Sequence, residues 1–322
     1  MRTVQRTSLH LTRPMVTAHG SIYARRIAVV SVVDGNLVGH GEASTLPGFG
    51  LEDQDEAERQ LDEWAQAGTI PGTPAAATAV ACAEANLAAA RSGSSLAASL
   101  AQRPVSGQLR CQAIIGDGDI EAAERAAATV VEAGHEAVKV KVAAGPTNRD
   151  VERVLAIRRT VGAAMAIRLD ANGGWDLATA TSVLRTLSDS GADIEFVEEP
   201  TPSPDDFREI ASSTGLTIAL DEHAQSTEVI DRVAGLGVDV IVVKPAVLGG
   251  PTATFSAALS LLDRGLRVVV SSFMDGPIGL DAAVQLAAAL PSDEVHGLGT
   301  ASMFSEAFPT HLIPVGGRLV VR

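Results

Sequence analysis

The chain has 322 residues, 46% of them hydrophobic and 20% charged, and a formal net charge of −14 at pH 7. That charge repels phosphate backbones, which argues against a nucleic-acid partner and for an enzyme of small molecules. Two cysteines, Cys82 and Cys111, form no disulfide framework and fit a reducing cytoplasm; "MRTVQRTSLHLTRPM" does not read as a secretory leader, and "TAVACAEANLAAA", broken by Glu84 and Asn86, does not read as a membrane span.

The first hundred residues mix strand and helix signals. "RIAVVSVVDGNLVGHGEAS" predicts a hairpin with its turn at "DGN". The Gly/Pro-rich loop "TLPGFGLEDQ" follows, then two helices, "QDEAERQLDEWAQAG" and "TAVACAEANLAAARSG", and a linker, "AQRPVSGQ". From about residue 110 the pattern alternates. Apolar runs "CQAII", "AVKVKV", "AMAIRLDA", "IEFVEE", "LTIALDE", "VDVIVVK" and "LRVVVSS" are separated by amphipathic stretches, among them "DIEAAERAAATVVEAG", "TNRDVERVLAIRRTVG", "DLATATSVLRTLSDSG" and "TATFSAALSLLDRG". Strand–helix alternation at this spacing predicts a parallel sheet. Seven strands, with an eighth near "HGLGT", fit a closed TIM-like barrel better than an open sheet. The one Gly-rich turn, in "IIGDGDIEAAE", lacks the third glycine of a dinucleotide site. The expected division is an α+β domain over 1–104 and a barrel over 105–302. The tail, about 303–322, ends in a strand-like "IPVGGRLVVR" and is expected to pack back on the first domain.

Chemistry in such barrels sits at the C-terminal ends of the strands. The second strand ends with Lys139 and Lys141, the third with Arg168, Asp170 and Asn172, the fourth with Glu198 and Glu199. The fifth ends with Asp221 and Glu222, the sixth with Lys244, the seventh with Ser271 and Ser272. Residues two apart share a face, so Lys139 with Lys141, and Arg168 with Asp170 and Asn172, are expected to point inward together. Asp170, Glu198 and Asp221 would converge and repel one another unless a divalent cation joined them. An all-oxygen set suits Mg²⁺, with Mn²⁺ as substitute, and no His/Cys cluster suggests zinc. Lys141 is the expected base toward a C–H beside a carboxylate. Lys139 would be the neighbouring cation that keeps it deprotonated, and Lys244 a second acid/base or a cation facing the anion.

Each residue alone has a plainer reading. A carboxylate after a strand is more often a helix N-cap or a surface group, and that plainer role is the expected one for Glu199, Glu222 and Asp275 taken singly. The ordered set on consecutive strands does not dissolve in that way.

The order "KVK", "LDAN", "EEP", "LDE", "KP" resembles the enolase superfamily, in its muconate-lactonising branch. Within the branch, "LPGFG", "IRLDANGGW", "FVEEP", "STGLTIALDE", "VVKPAVLGG" and "GLGT" are most similar to the o-succinylbenzoate synthase family. The resemblance implies a (β/α)₇β barrel with an N-terminal α+β capping domain. It implies metal binding by Asp170, Glu198 and Asp221. It implies removal by Lys141 of the α-proton of a succinyl-bearing cyclohexadiene carboxylate, with loss of water to an aromatic ring, and Lys244 on the other face of that ring. Ser271 and Gly297 match positions that hold the succinyl group; Arg168 and Asn172 are further candidates for substrate contact. Loops around "RPMVTAHGS" and "TLPGFG" match lids over the site. The chain departs from the pattern at "DGPIGL" after the seventh strand, at Gly299 where Asp is common and at His223 where Ser is common. An N-acylamino acid racemase or dipeptide epimerase would use the same lysines, although "HGLGTASMF" lacks the acidic pair of the epimerases. A non-catalytic barrel would be expected to lose a ligand or a lysine, and none is lost. The expected partner is a small carboxylate substrate, without membrane or nucleic acid; a monomer accommodates this reading.

Overall fold

The structure is a computed structural model and describes residues 1–17, 20–46, 49, 52–105, 107–224, 226 and 235–322. Three antiparallel strands, β1 (Arg2–Thr17), β2 (Gly20–Asp34) and β3 (Leu37–Ala43), form an N-terminal sheet in the order β1-β2-β3. The expected hairpin is β2–β3, closed by the pair Asp34 and Leu37. Most of "LPGFG" lies outside the described residues. Helices α1 (Gln54–Ala67) and α2 (Pro74–Arg91) cover the sheet, with Leu61, Trp64, Ala76, Ala79 and Ala83 against Ala28 and Val30. Asp53 caps α1 by accepting from the Asp55 amide at 2.8 Å, a contact worth about 1 kcal/mol. Helix α2 lies almost on the backbone of β3. A Cβ at Gly41 would fall 1.8 Å from Ala79 O, and one at Gly39 2.0 Å from Ala83 O. The alanine face of α2 and these two glycines are therefore one packing device. A short helix, α3 (Leu96–Ala101), precedes the barrel.

Next come β4 (Gln108–Arg110), β5 (Ala113–Ile115), α4 (Ile120–Glu132), β6 (Ala137–Lys141), α5 (Thr147–Val161), β7 (Ala166–Asp170), α6 (Leu177–Asp189) and β8 (Ile194–Glu198). These are followed by α7 (Phe207–Thr214), β9 (Ile218–Leu220), β10 (Val240–Val243), α8 (Pro251–Asp263), β11 (Arg267–Val270), α9 (Pro277–Ala289) and β12 (Arg318–Val320). Strands β5 to β11 pair in sequence order, every pair parallel. The sheet closes through the segment at "HGLGT": His296 bridges Cys111 and Gly297 bridges Ser271, both in parallel sense. The expected α/β barrel with a preceding α+β layer is therefore present. The tail reaches both parts. The Ser305 amide donates to His10 O on β1, whereas β12 pairs with β4 at the barrel.

Apolar residues pack between strands and helices, and a second cluster of Phe196, Ala219, Val240, Val242 and Val269 fills the barrel interior. Toward the strands' N-terminal ends the interior turns polar. Arg168 donates to Glu195, to Gln112 Oε1 and to Val295 O, and lies 4.7 Å above the Phe196 ring. His296 is fully buried, and its Nδ1 accepts from the Val270 amide at 3.1 Å. Burial pushes its pKa down to about 4, with the Arg168 charge adding to the effect.

Two outcomes follow. Gly41→Ala places a methyl into Ala79 O and is expected to destabilise the chain by about 1–3 kcal/mol in denaturant unfolding. His296 binds its proton less readily folded than unfolded, so stability falls as pH drops from about 6.5 toward 4, by up to about 3 kcal/mol. Urea midpoints at pH 7 and pH 4.5 should separate further in the wild type than in His296→Asn.

Candidate functional site

Parallel pairing sets the strand ends level. Lys141 pairs with Asp170 across β6–β7, and Asp170 with Glu198 across β7–β8. Asp221 follows β9 directly. One carboxylate oxygen from each of Asp170, Glu198 and Asp221 lies within 4.8 Å of the others, and the residues are 0%, 1% and 5% exposed. The three acids picked from strand ends therefore meet in one nearly dry cluster.

The lysines bracket it. Lys139 Nζ lies 2.7 Å from Asp170 Oδ2 and 2.9 Å from Glu198 Oε2. Lys141 Nζ donates to the same Asp170 oxygen at 2.7 Å and to Asn172 Oδ1 at 2.6 Å. Lys244, from the far side of the row, pairs with Asp221 Oδ1. Burial works against charge on Asp170, but Lys139 and Lys141 overcome it and hold the carboxyl below its usual range. Glu198 goes the other way: burial, with Asp170 and Asp221 beside it, pushes it up to about 7 despite Lys139. Burial opposes the charge on Lys139 too, yet Asp170 and Glu198 raise its pKa well above that of a free lysine. The charge of Lys139 is thus shared between two carboxylates as well as facing Lys141.

Three converging buried carboxylates, without histidine or cysteine, could hold a hard divalent cation. The donor set fits such a cation: the three acids are buried, bring one oxygen each within 4.8 Å of the others, and would repel one another unless a cation stood among them.

The remaining candidates divide. Asn172 joins the cluster, donating from Nδ2 to Glu222 Oε1 at 2.7 Å while accepting from Lys141. Ser271 and Gly297 sit together at the barrel closure, where Ser271 Oγ donates to Gly297 O at 3.2 Å. Arg168 is not brought to the cluster. It faces the interior as the period of two requires, but one pair lower, beside Lys139 and Phe196 in register, and its guanidinium is taken up by Glu195, Gln112 and Val295 O.

The plain readings of the second acids do not hold. Among the described residues Glu199 caps no helix. It is 1% exposed and accepts from the amides of Asp221 (2.7 Å) and His223 (3.1 Å) and from His223 Nδ1 (2.6 Å), so it braces the turn that carries Asp221. Glu222 is pushed up to about 8 by burial and by Asp221, and links to Asn172. Asp275 is buried and accepts from the Phe273 amide at 2.8 Å. A signal in the composition, beyond the strand-end rule, marks the same place. The chain contains only three lysines, Lys139, Lys141 and Lys244, and all three lie at this cluster; every other fixed side-chain cation is arginine.

A family model described as "Enolase C-terminal domain-like" matches residues 121–322. The o-succinylbenzoate synthase of Thermobifida fusca (strain YX) is 38% identical over 205 residues, covering 62% of this chain and 63% of that protein. That of Citrobacter koseri (strain ATCC BAA-895 / CDC 4225-83 / SGSC4696) is 31% identical over 281 residues, covering 85% of this chain and 82% of the other. Among solved structures, the L-Ala-D/L-Glu epimerase from Bacillus subtilis superposes with a TM-score of 0.89 at 22% identity, covering 100% of this chain and 96% of that one, and shares the fold.

Divalent chlorides should raise the melting temperature of the wild type. In Glu198→Gln the shift should shrink, with affinity by calorimetry falling roughly tenfold or more.

Proposed function

The chain belongs to the enolase C-terminal domain-like family, and on that premise we propose that it is an o-succinylbenzoate synthase, a hydro-lyase that uses Mg²⁺, or Mn²⁺ in its place. The substrate would be a cyclohexadiene carboxylate bearing a succinyl group and a hydroxyl. The reaction removes the proton α to the carboxylate and the hydroxyl, together one water, and leaves an aromatic ring. The observation that carries this reading is the placement of two ammonium-bearing side chains at opposite ends of the carboxylate row, Lys141 on Asp170 and Lys244 on Asp221. The substrate class comes from the relatives, among them one aligned over 85% of this chain.

In this reading Asp170, Glu198 and Asp221 hold the cation. The cation, when bound, supplies positive charge to the substrate carboxylate as the α-carbon gives up its proton. Lys141, the most exposed of the three lysines, takes that proton; Asn172 holds its amine in place. Lys139 stays between Asp170 and Glu198 and keeps the two acids oriented, its charge beside Lys141. Lys244 offers its ammonium to the negative charge that develops on the other face. Ser271 and the Gly297 backbone are the proposed contacts for the succinyl group. The 1–104 segment would serve as a cap over the barrel mouth.

Racemisation of N-acylamino acids by the same two lysines is the competing reading. A metal-dependent assay with the cyclohexadiene substrate separates the two. Loss of diene absorbance with formation of the aromatic product is expected, and Lys141→Ala should lower kcat by about a thousandfold or more. No absorbance change alongside racemisation of N-succinylamino acids would overturn the assignment. Full turnover by Lys141→Ala would overturn the mechanism.

A further inference from the structure

The N-terminal sheet grips the loop after β11 through two buried charged side chains. Arg25 on β2 is 1% exposed, and its guanidinium donates to four backbone carbonyls. Two belong to the segment after β3, Ser44 and Thr45. Two belong to the barrel loop, Phe273 at 3.2 Å and Met274 at 3.2 Å. Glu42 on β3 accepts from the amides of Gly276 at 2.6 Å and Gly279 at 3.1 Å, at the start of α9, where a carboxylate is favoured. A Cβ at Gly276 would fall 2.5 Å from Ile27 Cδ1 and 2.8 Å from Glu42 Oε2, so the loop lies close against β2 and β3 at this carboxylate. Between the two grips, Met274 takes a left-handed backbone with φ +54°, unfavourable for a residue with a Cβ.

What the gripped loop presents to the site is the Phe273 ring. It is 6% exposed, its centroid lying 5.9 Å from Arg25 Cζ and 6.0 Å from Lys244 Nζ. Lys244 is paired with Asp221, one of the carboxylates assigned to the cation. The ring therefore lies beside both cations, the Arg25 guanidinium and the Lys244 ammonium.

We propose that Arg25 is a positioning residue for Lys244, acting through Phe273, so that docking of the N-terminal sheet sets where the ammonium stands. The consequence for turnover rests on the proposed role of Lys244 in the dehydration; the positioning itself does not.

The chain's having only three lysines makes the test direct. Metal-free protein is trace-acetylated with acetic anhydride, and labelling of Lys244 relative to Lys141 is read by peptide mass spectrometry. The variants are Arg25→Lys, Phe273→Leu and protein with stepwise-fluorinated phenylalanine at 273. Arg25→Lys keeps a buried cation but cannot span four carbonyls. Fluorination keeps the ring's shape while emptying its negative face. The Lys244/Lys141 ratio is expected to rise roughly fivefold in both substitutions, the scale of one lost cation–ring contact, and to climb with each fluorine. Amide exchange at Gly276 and Gly279 should stay slow in the fluorinated proteins and in Arg25→Lys, showing Glu42 still seated. On turnover, kcat should fall with KM unchanged. A ratio that ignores fluorination, or that stays at the wild-type value in Arg25→Lys with the exchange still slow, would overturn the proposal. Labelling needs no substrate, so a protein without dehydratase activity but with the expected ratios would refute the proposed function and leave the positioning intact.

Discussion

Three carboxylates held within 4.8 Å of one another in a nearly dry pocket are the constraint on which the rest depends. Desolvation and mutual repulsion both oppose their ionisation. Three lysines arranged around them keep the cluster close to neutral, and the chain places no lysine anywhere else. Arginine serves every other cationic position, from helix-surface pairs such as Arg59 with Glu56 to the buried guanidinium of Arg168. Chemistry accounts for the partition. A guanidinium stays protonated at any physiological pH, whereas an amine can give up its proton and act as a base. Buried ion pairs contribute little net stability, so a cluster of this kind is better explained by what it can do than by what it holds together.

The barrel was legible because a parallel sheet buried on both faces writes itself as apolar runs, and because its reactive groups sit where those runs stop. Asp170, Glu198, Asp221 and the lysines follow from that rule alone. What it could not give was depth. Arg168 shares a face with Asp170, but two residues along a strand is roughly 6.6 Å, enough to move it from the mouth to the interior network around Phe196. Nor could it give partners distant in the chain. Glu199 resembles a cap because its neighbours in sequence offer nothing better; its partners, Asp221 and His223, lie across the next helix. Glu42 and Gly276 are separated by most of the protein.

Two elements escape the sequence pattern for opposite reasons. Strand β1, "RTVQRTSLHLTRPMVT", has most of its described side chains exposed; Leu9, Leu11 and Met15 touch the core from one face, too few to stand out among its polar residues, and pairing with β2 defines it. Helix α9, "PIGLDAAVQLAAA", is buried almost all round, from Leu280 through Ala289, and a helix covered on all sides has no amphipathic period to read. The first is hidden by too little burial and the second by too much. Both lie where the N-terminal layer and the barrel meet, and there the environment is set by the partner surface rather than by the segment.

The loops that leave the barrel strands hold the backbone's least comfortable residues. Among the described residues six without glycine's freedom have positive φ, and four of them, Ala143, Asn172, Glu199 and Met274, open the loops after β6, β7, β8 and β11. Each costs of order 1 kcal/mol and persists only if its surroundings insist on it. Those surroundings are identifiable. Ala143 donates its amide to Asp150, Asn172 to Asp170, and Glu199 to Ala219 O; Met274 lends its carbonyl to Arg25. An ordinary extended or helical residue at any of these points would carry the chain away from the barrel axis sooner or later than this one does. The left-handed step turns the backbone at the level of the carboxylates, so that Asn172 reaches Lys141 and Glu199 reaches under Asp221. Strain at the mouth and the precision of the cluster are therefore the same fact, seen once in the backbone and once in the side chains.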